Sequence, residues 1–247
     1  MKIFDSHFHI INPRFPLVKN NGYLPPEFTV ENYLDKVKDF GIIGGAIVSG
    51  SFQAFDYGYL RDSLKRLGKR FVGVANIPMG INQKELDRLN DMNIVAVRFN
   101  LKRGGSEKKE NLIKLSNQLY DKYGWHTELY IDSKDLKELN PILMEIQKFS
   151  IDHLGLSKKG LTDLYHWVEK GIKVKVTGFG RIDFDPLPVI KYIYEIDPNC
   201  LMFGTDLPST RAKAAFSNKD INLIKDNFNK EEQEKIFFRN VEKWYRK

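Results

Sequence analysis

Short apolar runs alternate along the chain with longer segments whose apolar positions recur every three or four residues, the pattern of strands alternating with amphipathic helices. The runs at 3–11, 45–49, 71–77, 94–100, 126–131, 150–154, 173–177 and 201–205 read as strands. Helices are predicted at 30–40, 59–67, up to Met92, 106–123, from Ser133 through Pro141 with a kink there, 161–170, 187–195, 219–228 and 231–245. Thr29, Asn82 with Glu85, Ser106 and Ser133 stand where side chains cap free backbone N–H groups, and Gly41, Gly124 and Gly171 stand where helices stop. Eight strand-helix pairs in this order predict a (β/α)8 barrel, one domain over residues 1–247. An open doubly wound sheet is the alternative, but no Gly-rich phosphate turn follows a strand.

Separating the strand faces concentrates the chemistry. In the first strand, strict alternation puts Asp5, His7 and His9 on one side and Phe4, Ser6, Phe8 and Ile10 on the other, with the two histidine Cα atoms roughly 6.6 Å apart. Two imidazoles at that spacing can converge on one divalent ion or on one polarised oxygen. In the fourth strand Val95, Val97 and Phe99 should pack under helices, leaving Arg98 and Asn100 toward the mouth of the barrel. His126, Glu128, Tyr130 and Asp132 share a face of the fifth strand, and Lys175 and Thr177 of the seventh; His153 ends the sixth and Asp206 follows the eighth. Each has an ordinary structural use as well: Arg98 can pair with Glu128 across the lumen, His153 can be a hydrogen-bonded core histidine, and Asp206 can cap the following turn. His126, near the start of its strand, reads as structural, and His166, on a helix, as outside the chemistry. The proline- and aromatic-rich connection at 11–28 is long enough to cover a site.

Composition narrows the setting. The net charge of +7 comes from lysines scattered among acids and amides on amphipathic helices, with no zinc-finger spacing or basic arm, so no nucleic-acid partner is expected. The single cysteine, Cys200, cannot form an intramolecular disulfide, and neither a leader nor a membrane-length apolar run is evident. A cytoplasmic protein without a membrane partner is the expectation, and a homo-oligomer is compatible with it.

Asp5-Ser6-His7-Phe8-His9, Asp152-His153-Leu154-Gly155 and Gly204-Thr205-Asp206-Leu207-Pro208, in this order along the chain, resemble the amidohydrolase superfamily. Val97-Arg98-Phe99-Asn100, Trp125-His126-Thr127-Glu128-Leu129-Tyr130 and Lys175-Val176-Thr177-Gly178 resemble its branch of 2-pyrone-4,6-dicarboxylate lactonase and sugar-lactone hydrolases. The resemblance implies a lactonase acting on a small anionic substrate. His7, His9 and His153 would line the electrophile site and Asp206 would be the general base. Arg98 and Tyr130, with Arg103 and Arg181 nearby, would hold the substrate. Glu128 stands where an amide-bearing side chain is expected. A binuclear centre needs a carboxylate, usually a carbamylated lysine, where the fourth strand has Arg98. His7, His9, His153 and Asp206 therefore imply at most one divalent ion, zinc or manganese, with metal-free catalysis as the alternative. Competing readings are a decarboxylase or amide hydrolase of the same superfamily, a TatD-like metal-dependent nuclease, and a non-catalytic barrel that binds an anionic metabolite.

Overall fold

The structure is a computed structural model and describes residues 1–246. Eight parallel strands pair in sequence order: β1 (Ile3–Phe8), β2 (Ile42–Val48), β3 (Phe71–Ala75), β4 (Ile94–Asn100), β5 (His126–Tyr130), β6 (Phe149–Ile151), β7 (Lys173–Val176) and β8 (Leu201–Phe203). Beyond β8, the Asp206 N–H donates to the His7 carbonyl at 2.7 Å and the His9 N–H to the Leu207 carbonyl at 2.8 Å, which brings the last strand round to the first. The predicted (β/α)8 barrel is the observed fold.

The helices are α1 (Val30–Val37), α2 (Gly58–Leu67), α3 (Gln83–Asp91), α4 (Leu112–Tyr123), α5 (Leu136–Leu143), α6 (Leu161–Glu169), α7 (Pro186–Ile196), α8 (Asn218–Asn227), α9 (Lys230–Glu234) and α10 (Asn240–Tyr245), with a π-helical turn, Lys235–Arg239, joining the last two. Thr29 and Asn82 cap α1 and α3 as predicted. Ser106 does not cap α4: its hydroxyl accepts from the Asn100 N–H at 2.8 Å and ties the loop back to β4, while a 3-10 turn leads into the helix. Ser133 likewise donates to the Ser157 carbonyl, and Asp132 accepts from the Lys134 N–H instead. α5 runs on through Pro141. Most of the core lies between helices and sheet; a second apolar cluster fills the N-terminal end of the lumen, where Val241, Trp244 and Tyr245 from α10 meet Phe4, Ala46, Val72 and Met202.

Two irregularities overturn the predicted faces. Between Asp5 and Phe8 the first strand advances three residues while β2 advances two, a bulge that reverses the alternation. Phe4 thus points into the lumen, and Asp5 turns to Tyr33 of α1 and to Thr205, while His7 and His9 keep the lumen face. A similar shift opposite Gly73 and Val74 sends Val95 inward with Ala96.

Candidate active site

The lumen above the apolar plug holds buried charges. Lys175 of β7 donates to Glu128 of β5, and its ammonium lies 3.6 Å from Asp152, just after β6. Arg98 of β4 meets the other oxygen of Asp152 at 3.0 Å. Arg181, on the turn after β7, grips both oxygens of Asp206 at 2.6 and 3.0 Å. Three cations thus face three carboxylates, so the desolvation of each is offset by an opposite charge. The anticipated Arg98–Glu128 pair is replaced by Arg98–Asp152, because Lys175 occupies Glu128.

Toward the mouth, the rings of His7, His9 and His153 stand together, His7 with its centroid 5.1 Å from His9 and 4.8 Å from His153. Nε2 of His7 and of His153 each lie 4.0 Å from Oδ1 of Asp206. Asp206 and His153 both adopt left-handed backbone conformations, φ 58° and 52°, unusual outside glycine and a form of strain that clusters at functional sites. Gly178, at φ 64°, leaves room for His153: a β-carbon there would lie 2.5 Å from its Nδ1. Asp5 supports the arrangement from outside the lumen, accepting from the backbone and hydroxyl of Thr205 at 2.8 and 2.7 Å and so setting the approach to Asp206.

Burial sets the protonation states. It lowers His9 to about 3 and, with the nearby cations, holds His7 and His153 well below the usual imidazole range. Burial raises Asp206, an effect that Arg181 only partly opposes. For Asp152 burial also pushes upward, but Lys175 and Arg98 outweigh it and keep the carboxyl below its ordinary range. The result is a cluster of neutral imidazoles facing a carboxylate of raised basicity.

Tyr130 stacks edge-on against His153 and lies beneath Arg98, and its hydroxyl accepts from Arg103 at 3.3 Å. The 11–28 connection reaches over the rim as expected: Asn20 donates to the Arg103 carbonyl and accepts from Arg211, whose guanidinium covers the Tyr23 ring. The inner cleft has a free volume of only about 30 Å³, and a vestibule of about 250 Å³ outside it shares Arg103, Tyr130, Arg181 and Arg211. Larger cavities of about 550 and 620 Å³ open elsewhere on the barrel, so volume alone does not mark this place. Of the residues expected at the site, His9, Arg98, Arg103, Tyr130, His153 and Arg181 line the cleft, and His7 and Asp206 are buried beside one another next to His9 and His153. Sequence reasoning did not assign Asp152, Lys175 or Arg211 to the site; their only signals were a place in the Asp152-His153 motif, a lumen-facing register and a position five residues after Asp206.

Two groups offer donor atoms within 4.8 Å of one another, His7 with His9 and Asp206, and His7 with Asp152 and His153. A tetrahedral zinc with bonds of about 2.1 Å sets its ligands about 3.4 Å apart, and it needs carboxylate lone pairs that face it. Here the imidazole nitrogens of His7 and His153 stand 4.0 Å from Asp206 and Arg181 spans both of its oxygens, while Lys175 and Arg98 place positive charge on Asp152. As arranged, the donor set does not fit a divalent cation. His126 stays out of the cleft, 3.3 Å from Glu128 and packed on Trp244, and His166 is on the surface.

Comparison with known proteins places this geometry. The chain is 25% identical over 226 residues to 4-sulfomuconolactone hydrolase of Hydrogenophaga intermedia, covering 83% of this chain and 74% of that protein. It is 23% identical over 237 residues to 2-pyrone-4,6-dicarboxylate hydrolase of Comamonas testosteroni, covering 85% and 77%. Its backbone superposes with a TM-score of 0.83 on a "probable 2-pyrone-4,6-dicarboxylic acid hydrolase" of Acinetobacter baumannii solved with citric acid bound, at 24% identity and 99% coverage of both chains, a likeness of fold. The sequence model of the family described as Amidohydrolase matches residues 4–247. A chain matched over that span belongs to the amidohydrolase family.

Proposed function

We propose that this protein is a hydrolase that opens a small, carboxylated lactone at its ester bond. The observation that carries the reading is a buried carboxylate, Asp206, facing two neutral imidazoles at 4.0 Å, beneath a rim of arginines. The hydrolases named above act, by their names, on a lactone and on a pyrone dicarboxylate, which supports the same chemistry here. Water attacks the carbonyl carbon as Asp206 takes its proton, the carbonyl oxygen becomes an oxyanion held by imidazole N–H donors, and collapse breaks the ring C–O bond. Asp206 then returns the proton to the departing oxygen, so the product is an open-chain acid. Nε and Nη1 of Arg98 are buried without a hydrogen-bond partner among the described residues, and Arg98, which lines the cleft with Arg103, Arg181 and Tyr130, would with them bind the substrate carboxylate. No step requires a metal.

The narrow cleft, with a free volume of about 30 Å³, argues against a nuclease, because a nucleic-acid backbone needs a long groove. A decarboxylase or amide hydrolase would use the same residues, so turnover has to separate them. Assay of a panel of lactones with and without a carboxylate, beside amides and aromatic acids, tests the proposal. Preferential hydrolysis of carboxylated lactones is expected; binding without turnover would point instead to a metabolite-binding barrel, and release of carbon dioxide to a decarboxylase.

A further inference from the structure

We infer that Lys175 fixes the tautomer of His7, holding its proton on Nε2 so that the ring presents a hydrogen-bond donor on the side that faces Asp206. Nδ1 of His7 lies 3.3 Å from the Lys175 ammonium with hydrogen-bonding geometry. An ammonium offers donors and no lone pair, so the nitrogen facing it must be the acceptor, and in a neutral imidazole the single proton then sits on the other nitrogen. That nitrogen, Nε2, is buried and has no partner among the described residues. Asp152 is the competitor, with Oδ1 at 3.5 Å from the same Nδ1, but this contact makes no hydrogen bond, and Asp152 already faces Arg98 and Lys175.

Lys175 is held in place from the floor of the lumen. Glu128 accepts from it and also from the Tyr245 hydroxyl, which reaches up from α10 at the floor of the lumen. His9 is held in the opposite state. Its Nδ1 is 2.7 Å from the Val48 carbonyl, which can only accept, so Nδ1 carries the proton and Nε2 presents a lone pair. Adjacent rings thus offer one donor and one acceptor. Both candidate metal-ligand groups include His7; with Nε2 protonated it can offer a cation only Nδ1, whose lone pair already accepts from Lys175, which gives a second reason why the donor set does not fit a cation. The catalytic consequence, His7 donating to the oxyanion, rests on the lactone reading; the tautomer itself does not.

Two-bond ¹H–¹⁵N correlation spectra of histidine-labelled protein at neutral pH read the tautomers directly, with His7 assigned from ring-to-backbone connectivities and no substitution needed. A proton on Nε2 of His7 and on Nδ1 of His9 is expected; a proton on Nδ1 of His7 overturns the inference. In Lys175→Met the His7 proton should move to Nδ1, toward Asp152, and kcat on the best lactone should fall about 10²-fold with KM changed less than about threefold. Lys175→Arg, which retains a donor, should keep the proton on Nε2, and serves if Lys175→Met does not fold. An unchanged tautomer in folded Lys175→Met would refute the role of Lys175. Wild-type protein with the expected tautomer and no lactone turnover would instead reject the lactone reading and leave this assignment standing.

Discussion

Replacing Arg98 by methionine separates substrate recognition from scaffold. The guanidinium spends Nη2 on Asp152 at 3.0 Å and leaves Nε and Nη1 without hydrogen-bond partners among the described residues; these two nitrogens lie on opposite edges of the group, so a substrate carboxylate takes one of them. One charge-assisted hydrogen bond at about 1.5–3 kcal/mol corresponds to roughly 10- to 10²-fold in kcat/KM. The substitution also removes one cation from buried Asp152, a change of about 3 kcal/mol in stability at the low end of the usual range, since Lys175 remains 3.6 Å away. Stability loss lowers the folded fraction equally for every substrate, so the ratio of kcat/KM for a carboxylated lactone to that for its neutral analogue, taken within each protein, cancels it. That ratio should drop about 10- to 10²-fold in Arg98→Met, and Arg98→Lys should restore only part, because an ammonium on a flexible stem cannot reproduce the fixed planar donors. A ratio equal to wild type, with both substrates slowed alike, would refute Arg98 as the carboxylate anchor.

Acid should destabilise the fold well above the carboxylate range. His7, His9, His126 and His153 are all held below their ordinary values, so between about pH 4 and 6 the unfolded chain binds their protons and the native state does not; Asp5 and Asp220, both pushed by burial to about 6, and the raised Asp206 act in the opposite sense. Four histidines against three carboxyls leave a net of one proton, so urea-unfolding stability should fall by up to about 1.4 kcal/mol per pH unit in that window, and a flat profile would contradict the burial argument. Gly178→Ala puts a β-carbon against His153 at a left-handed backbone position; kcat should fall tenfold or more, with about 1–2 kcal/mol lost in stability, and an unaltered kcat would show that His153 tolerates displacement. Chelator treatment should leave turnover unchanged, with elemental analysis finding less than one zinc or manganese per chain; activity lost on chelation and restored by added metal would overturn the metal-free scheme.

The order of strands was legible because each carries its own apolar run, and the lumen faces of β5 and β7 because those strands are regular. In β1 the alternation fails at a bulge with no residue signature, which is why Asp5 was grouped with His7 and His9 although its carboxylate reaches Tyr33 and Thr205. His153 lies past the end of a three-residue β6, on a left-handed turn that only the space beside Gly178 makes visible. Pairings across the lumen depend on the stagger of the strands, so Lys175 with Glu128 and Arg98 with Asp152 could not be read from either strand alone. The grip of Arg181 on Asp206 joins two loops after different strands, and it arises only when the barrel closes.

The central claim is that Asp206 moves the proton of the attacking water. Steady-state hydrolysis of the best carboxylated lactone by wild type and Asp206→Asn, beside the affinity of each for the ring-opened product, tests it most directly. The amide keeps the shape and removes the proton acceptor, so kcat should fall by about 10² or more while product affinity stays within a few fold. Turnover by folded Asp206→Asn near the wild-type rate would contradict the account.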